Sequence, residues 1–119
     1  MAYSFGTKQT IQVKGTVICE GKRAAGVIIR LMEEDTTSND KLAEVVTGPD
    51  GNFSLTGKDE EVSKIDPFIV IEHSCKTPPK KKRVVRWAVD EKYVDDPEGY
   101  DMILVALDIS QREEKEEDV

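Results

Sequence analysis

The sequence predicts an all-β fold, a two-sheet antiparallel sandwich or open barrel of about seven or eight short strands. Two observations carry this. Apolar residues alternate with polar ones at period two through most of the chain, the pattern of strands with one buried face. Clusters of turn-forming residues then cut the chain into strand-sized segments.

The elements follow in order. Ile11, Val13, Val17 and Cys19 share one face of a first strand, and Gln12, Lys14 and Thr16 share the other. Glu20-Gly21-Lys22-Arg23 turns the chain into a second strand from about Ala25 to Met32, with Val27, Ile29 and Leu31 on one face. Glu33 to Asp40 is polar and reads as an exposed loop, and Leu42 to Thr47 reads as a third strand. Gly48-Pro49-Asp50-Gly51 is a tight turn whose glycine supplies positive φ. Asn52 to Thr56 follows with Phe53 and Leu55 inward, and Gly57 is expected to end it. Pro67 to Ile71 is an apolar run suited to burial on both faces, Arg83 to Val89 alternates, and Met102 to Ile109 is the last strand. One domain, residues 1–110, is expected to be followed by an acidic disordered tail, residues 111–119, too charged to bury apolar surface.

The 119 residues carry a net charge of -7, which argues against a nucleic-acid partner. No run reaches the 18 or more apolar residues of a membrane-spanning helix. Met1 to Phe5 leads into polar sequence, so no signal peptide is read at this start, and secretion would require a leader already removed. Cys19 and Cys75 are the only cysteines. They either form one disulfide, stabilising by about 4 kcal/mol on the chain-entropy argument, or fill the core as thiols.

Charge is unevenly placed. Lys76, Lys80, Lys81, Lys82, Arg83 and Arg86 put six basic residues and no acid between positions 76 and 86. Pro78 and Pro79 disfavour helix and ladder pairing, so Lys80 to Arg83 should project from a loop or the start of a strand with their charges exposed. Such a cluster attracts anionic headgroups at about 1 kcal/mol per residue. It equally suits a solubilising guard on an edge strand. Trp87 reads as core more readily than as an interfacial anchor.

Several motifs together resemble the transthyretin-like family of secreted nematode proteins. They are Gly15-Thr-Val-Ile-Cys19, Ala24-Ala-Gly-Val27, Leu31-Met-Glu-Glu-Asp35, Asp50-Gly-Asn-Phe53 with Leu55 and Gly57, Ile65-Asp-Pro67, His73-Ser-Cys75, and Asp90-Glu-Lys-Tyr93-Val94. Their combination is more specific than any one of them. The resemblance implies a transthyretin or prealbumin sandwich, an extracellular location, and binding more than catalysis. Family members commonly hold two further cysteines, after the His-x-Cys and near the C-terminus, and both are missing here. Their joint absence implies a Cys19–Cys75 bridge, with a disulfide-linked homodimer as the alternative.

The resemblance also implies a function. One kind of member is a secreted adaptor that recognises phosphatidylserine on apoptotic cells and bridges it to an engulfment receptor ectodomain on a phagocyte. On that reading Lys80, Lys81, Lys82, Arg83 and Arg86 bind lipid, the arginines taking phosphate bidentately. The alternative is a secreted protein that binds a protein partner or a small hydrophobic ligand without lipid recognition.

Other chemistry is disfavoured. Glu33, Glu34, Asp35 and Asp40, and Asp90, Glu91, Asp95 and Asp96, form acidic loops without calcium-loop spacing, of a kind ordinarily just solvated. Cys19, His73 and Cys75 could hold zinc only without a disulfide, so neither a metal nor a cofactor is expected. An enzyme is not expected either. The hydroxyisourate hydrolases of this fold use several histidines and a C-terminal Tyr-Arg-Gly-Ser, whereas this chain has one histidine and ends Glu116-Glu-Asp-Val119.

Overall fold

Alternation drives Ile11, Val13 and Val17 of β1 (Thr7–Cys19) inward, where all three are buried. The computed structural model describes residues 6–35, 38–109 and 113–119. β1 pairs antiparallel with β5 (Asn52–Glu61) and parallel with β8 (Tyr100–Ala106), while the two-residue β2 (Lys22–Arg23) returns against Ile18 and Cys19. The facing sheet has the order β4-β3-β6-β7-β9, formed by β4 (Asn39–Val46), β3 (Ile28–Glu34), β6 (Asp66–His73), β7 (Lys81–Ala88) and β9 (Glu113–Asp118). A single 3₁₀ turn, Glu91–Tyr93, precedes β8. The predicted all-β sandwich is the fold, and it is not a closed barrel.

Phe53 and Leu55 of the first sheet meet Ile29, Leu31, Ile69, Ile71 and Val85 of the second in one buried core. Phe68 points to the opposite face of β6 yet is also buried, because the Arg86 guanidinium lies 3.6 Å over its ring. This accounts for the unbroken apolar run of β6 on a sheet face that also carries Arg30, Glu72, Lys82 and Arg86. Trp87 is partly buried against the core, as expected.

Four departures from the sequence reading have physical causes. β3 begins later than expected, since Gly26 is left-handed at φ 75° and Val27 is held by Thr47, whose Oγ1 accepts its N–H at 3.1 Å. It also runs further, so Glu33 is not in an exposed loop but at an inward position in register with Pro67, 2% exposed. β5 does not stop at Gly57. A Cβ there would lie 2.7 Å from Leu42 Cβ and 2.9 Å from Leu31 Cδ2, so this glycine marks close approach of the sheets and not a strand end. Most consequentially, residues 113–118 are not disordered but form β9 against β7, their acids opposite the basic residues of that strand.

Cys19 and Cys75 form a disulfide with Cα atoms 5.8 Å apart, joining the end of β1 to the segment just after β6. Thiolate ligation of zinc is thereby excluded. Beside the bridge His73 is 4% exposed, its Nδ1 accepting the Cys75 N–H at 3.0 Å. Burial pushes the imidazole below its ordinary pKa; the nearby Glu114 carboxylate opposes this and Arg83 reinforces it. The ring is therefore neutral in the folded protein at neutral pH.

Two outcomes are expected. Gly57→Ala overpacks the contact with Leu31 and Leu42 and destabilises the fold by about 1–3 kcal/mol, read as a lowered urea midpoint. For His73 the folded pKa lies below the unfolded one, so its contribution is complete above about pH 6.5 and declines as pH falls through the folded value. The urea midpoint of the wild type should drop between pH 7.5 and 5. His73→Asn, which keeps an acceptor for the Cys75 N–H, should show a flatter profile over that interval.

Candidate functional site

The disulfide and β7 together build the most distinctive charged surface. From Ser74 the chain makes a compact turn: Thr77 donates from its hydroxyl to the Ser74 carbonyl at 3.0 Å, and the Lys81 N–H donates to the Pro78 carbonyl at 3.2 Å. Lys76 and Lys80 adopt left-handed backbone conformations, with φ of 54° and 63°. Both side chains are exposed, and among the described residues neither makes an ion pair. Pro78 and Pro79 occupy the turn, so their missing N–H groups cost no ladder bond.

The five predicted lipid-binding residues are not one projecting loop. Only Lys80 lies in the turn; Lys81, Lys82, Arg83 and Arg86 belong to β7 and are half-buried. Strand alternation divides them between faces. Lys82 and Arg86 share the outer face, and Arg83 shares the inner face with Val85. Four of the five are ion-paired: Lys81 with Asp118, Lys82 with Glu72 at 3.4 Å, Arg83 with Glu114 at 2.9 Å, and Arg86 with Glu34 at 3.1 Å. The expectation of exposed heads on Lys81 to Arg83 is corrected by β9, which supplies a hydrogen-bonding edge and the counter-charges of Lys81 and Arg83, and by Glu72 of β6, which pairs with Lys82. Arg86 stands apart from the turn, toward Glu34 and the Phe68 ring.

Glu72 is the residue sequence reasoning missed. On the outer face it joins Arg30 at 2.9 Å to Lys82, and Arg30 continues to Glu44 at 2.7 Å, so four strands share one charge network. Burial resists ionisation of Glu72, but Arg30 and then Lys82 outweigh it and hold the carboxyl below its usual value. The available signal was an acid at the outward position of the most apolar strand. Glu114 was missed because it lay in a segment read as disordered; its side chain is only 6% exposed.

Most acids of the predicted 90–96 loop serve the backbone. Asp90 caps the 3₁₀ turn by accepting the Lys92 N–H at 2.9 Å, Asp95 accepts from Thr10 at 2.9 Å, and Asp96 from Glu98 at 2.9 Å. Next to the disulfide lies a largely apolar hollow of about 510 Å³, lined among others by Cys19, Ala24, Val27, His73 and Leu107.

Comparison with known proteins agrees with this architecture. Residues 14–90 match the profile of the Transthyretin-like family. Caenorhabditis elegans Transthyretin-like protein 16 is 38% identical over 110 residues, covering 91% of this chain and 82% of that protein. Transthyretin-like protein 2 of the same organism is 37% identical over 100 residues, covering 76% of this chain and 66% of that protein. With well over half of its length matched, on a two-sheet β-sandwich closed by a disulfide, the chain belongs to the transthyretin-like family.

Proposed function

We propose that this protein is an extracellular adaptor whose basic turn and β7 end take the headgroup of phosphatidylserine on apoptotic cells, another surface meeting an engulfment receptor ectodomain. The observation that carries this reading is the grouping of exposed Lys76 and Lys80, which make no ion pair among the described residues, with Lys81 and Lys82, held at one end of the sandwich by the adjacent Cys75 bridge. The headgroup carries phosphate, carboxylate and ammonium, and a basic turn beside Glu72 offers partners to both signs of charge. A disulfide fits an oxidising, extracellular setting.

β9 fits the same reading as a built-in competitor. Glu116, Glu117 and Asp118 stand opposite Arg83, Lys82 and Lys81, where an anionic ligand would stand. A second reading, a small hydrophobic ligand, is favoured by the apolar hollow beside the disulfide.

Vesicle co-sedimentation separates these. Phosphatidylserine vesicles should be bound in preference to equally charged phosphatidylglycerol and to phosphatidylcholine, and less so as salt is raised. Lys76→Gln with Lys80→Gln removes about 2 kcal/mol, roughly a 30-fold loss of affinity. Removing residues 113–119 should tighten binding at low salt. Equal binding to neutral vesicles, or no effect of the lysine substitutions, overturns the lipid reading.

A further inference from the structure

The inward faces of two strands change character at the same end of the sandwich. Along β3 the inward series runs Ile29, Leu31, Glu33; along β5 it runs Phe53, Leu55, Gly57, Asp59, Glu61. Apolar core thus gives way on both sheets to carboxylates that point at one another. One ligand oxygen from each of Glu33, Asp59 and Glu61 lies within 4.8 Å of the others. A single ion about 2.4 Å from each oxygen, the ordinary calcium–oxygen distance, spans that separation.

Three acids together are by themselves only an acidic surface. Glu33 supplies the independent observation. Its residue is 2% exposed, yet Oε2 has no hydrogen-bond partner among the described residues. A buried ionised carboxylate without a partner is costly, by several kcal/mol, unless a positive charge compensates it. Glu33 also lines a hollow of about 220 Å³ shared with Asp35, Glu61 and Asp66, where Lys64 is the basic residue on the wall.

From these observations we infer a binding site for one hard divalent cation of the calcium class, held by Glu33, Asp59 and Glu61 between the ends of β3 and β5. An all-oxygen donor set selects calcium, magnesium or manganese over zinc or copper. The remaining coordination falls to water, since the hollow is open, so the affinity belongs with weak extracellular sites, about 10⁻⁴ to 10⁻³ M. The ion would join the two sheets at the end remote from the disulfide. Six positions of β6 separate Pro67, level with Glu33, from His73, level with Arg83, a distance of about 20 Å. The site is therefore separate from the basic turn and independent of the lipid proposal.

The test is isothermal titration of the EDTA-treated full chain with calcium chloride, and separately magnesium chloride, at physiological salt, alongside thermal melts. One calcium per chain is expected, with a raised melting temperature at 10 mM calcium. Asp59→Asn with Glu61→Gln, both half-exposed and tolerant of substitution, should weaken binding at least tenfold. Glu33→Gln should melt higher than the wild type in EDTA, by removing the uncompensated charge, and lose the calcium-dependent gain. Absence of binding up to 10 mM overturns the site. So does an equal thermal shift in the Asp59/Glu61 variant, which would mean diffuse counter-ion attraction to an acidic protein.

Discussion

The Cys19–Cys75 bridge is the constraint on which the placement of the other parts depends. It ties the last residue of β1 in one sheet to the segment leaving β6 in the other. Besides it, the two sheets are joined at this end by the chain crossings at residues 24–27 and 47–51 and by packing of side chains such as Val17, Val27 and Leu107. The bridge spans 56 positions of sequence, enough for a loop-closure contribution of about 4 kcal/mol, a large fraction of the stability of a domain this size. The covalent tie also sets the start of the Ser74–Lys81 turn. The basic residues beyond it are thus presented on a fixed base, next to a buried neutral histidine whose ring accepts the turn's own N–H.

β7 would be a sheet edge without β9, and a row of lysines is a common guard on such an edge. β9 changes that role by completing the ladder. Its attachment differs in kind from that of the core strands, because it brings five acids and one lysine, and no apolar side chain, to the contact. Opposite-charge cross-strand pairs contribute about 0.2–1 kcal/mol each and weaken with salt. Arg83 and Glu114 form the exception, since Glu114 is nearly sequestered and faces the His73 side of the strand. A strand held by ladder bonds and exchangeable charge is drawn from the least stable part of the protein, which is what the proposed exchange of its acids for an anionic ligand would require.

The fold was legible because period-two alternation and turn chemistry are local. Ile11, Val13, Phe53, Leu55 and the Pro67–Ile71 run all occupy the places their patterns predict. What escaped the sequence is non-local. Gly57 reads as a strand end by propensity, and only the approach of Leu42 and Leu31 shows that it is a packing position. Glu33 reads as loop because a carboxylate is normally solvated, although its place in the alternation, two after Leu31, pointed inward. The tail reads as disordered by composition, since nothing local shows that a basic strand waits for it. The basic cluster was visible as charge, but its partners Glu34, Glu72, and Glu114 with Asp118 arrive from three separate segments.

The two ends of the molecule carry opposite electrostatic characters, and this bears on how an acidic protein could approach an anionic membrane at all. With a net charge of -7, repulsion opposes approach, and it is screened over the same Debye length as the attraction at the basic turn, some 8 Å at physiological salt. On the proposed lipid reading, orientation resolves the conflict: the turn would face the surface, and the carboxylate hollow, about 20 Å away along the strands, would lie beyond the screened field. A divalent cation in that hollow would cancel two of the seven net charges, but at physiological salt that change is screened from the turn. Only at low ionic strength, where the Debye length reaches about 30 Å, would occupancy at one end show itself at the other, as a faster approach and not as a new contact, because electrostatic fields alter association rates more readily than they alter the geometry of a docked complex.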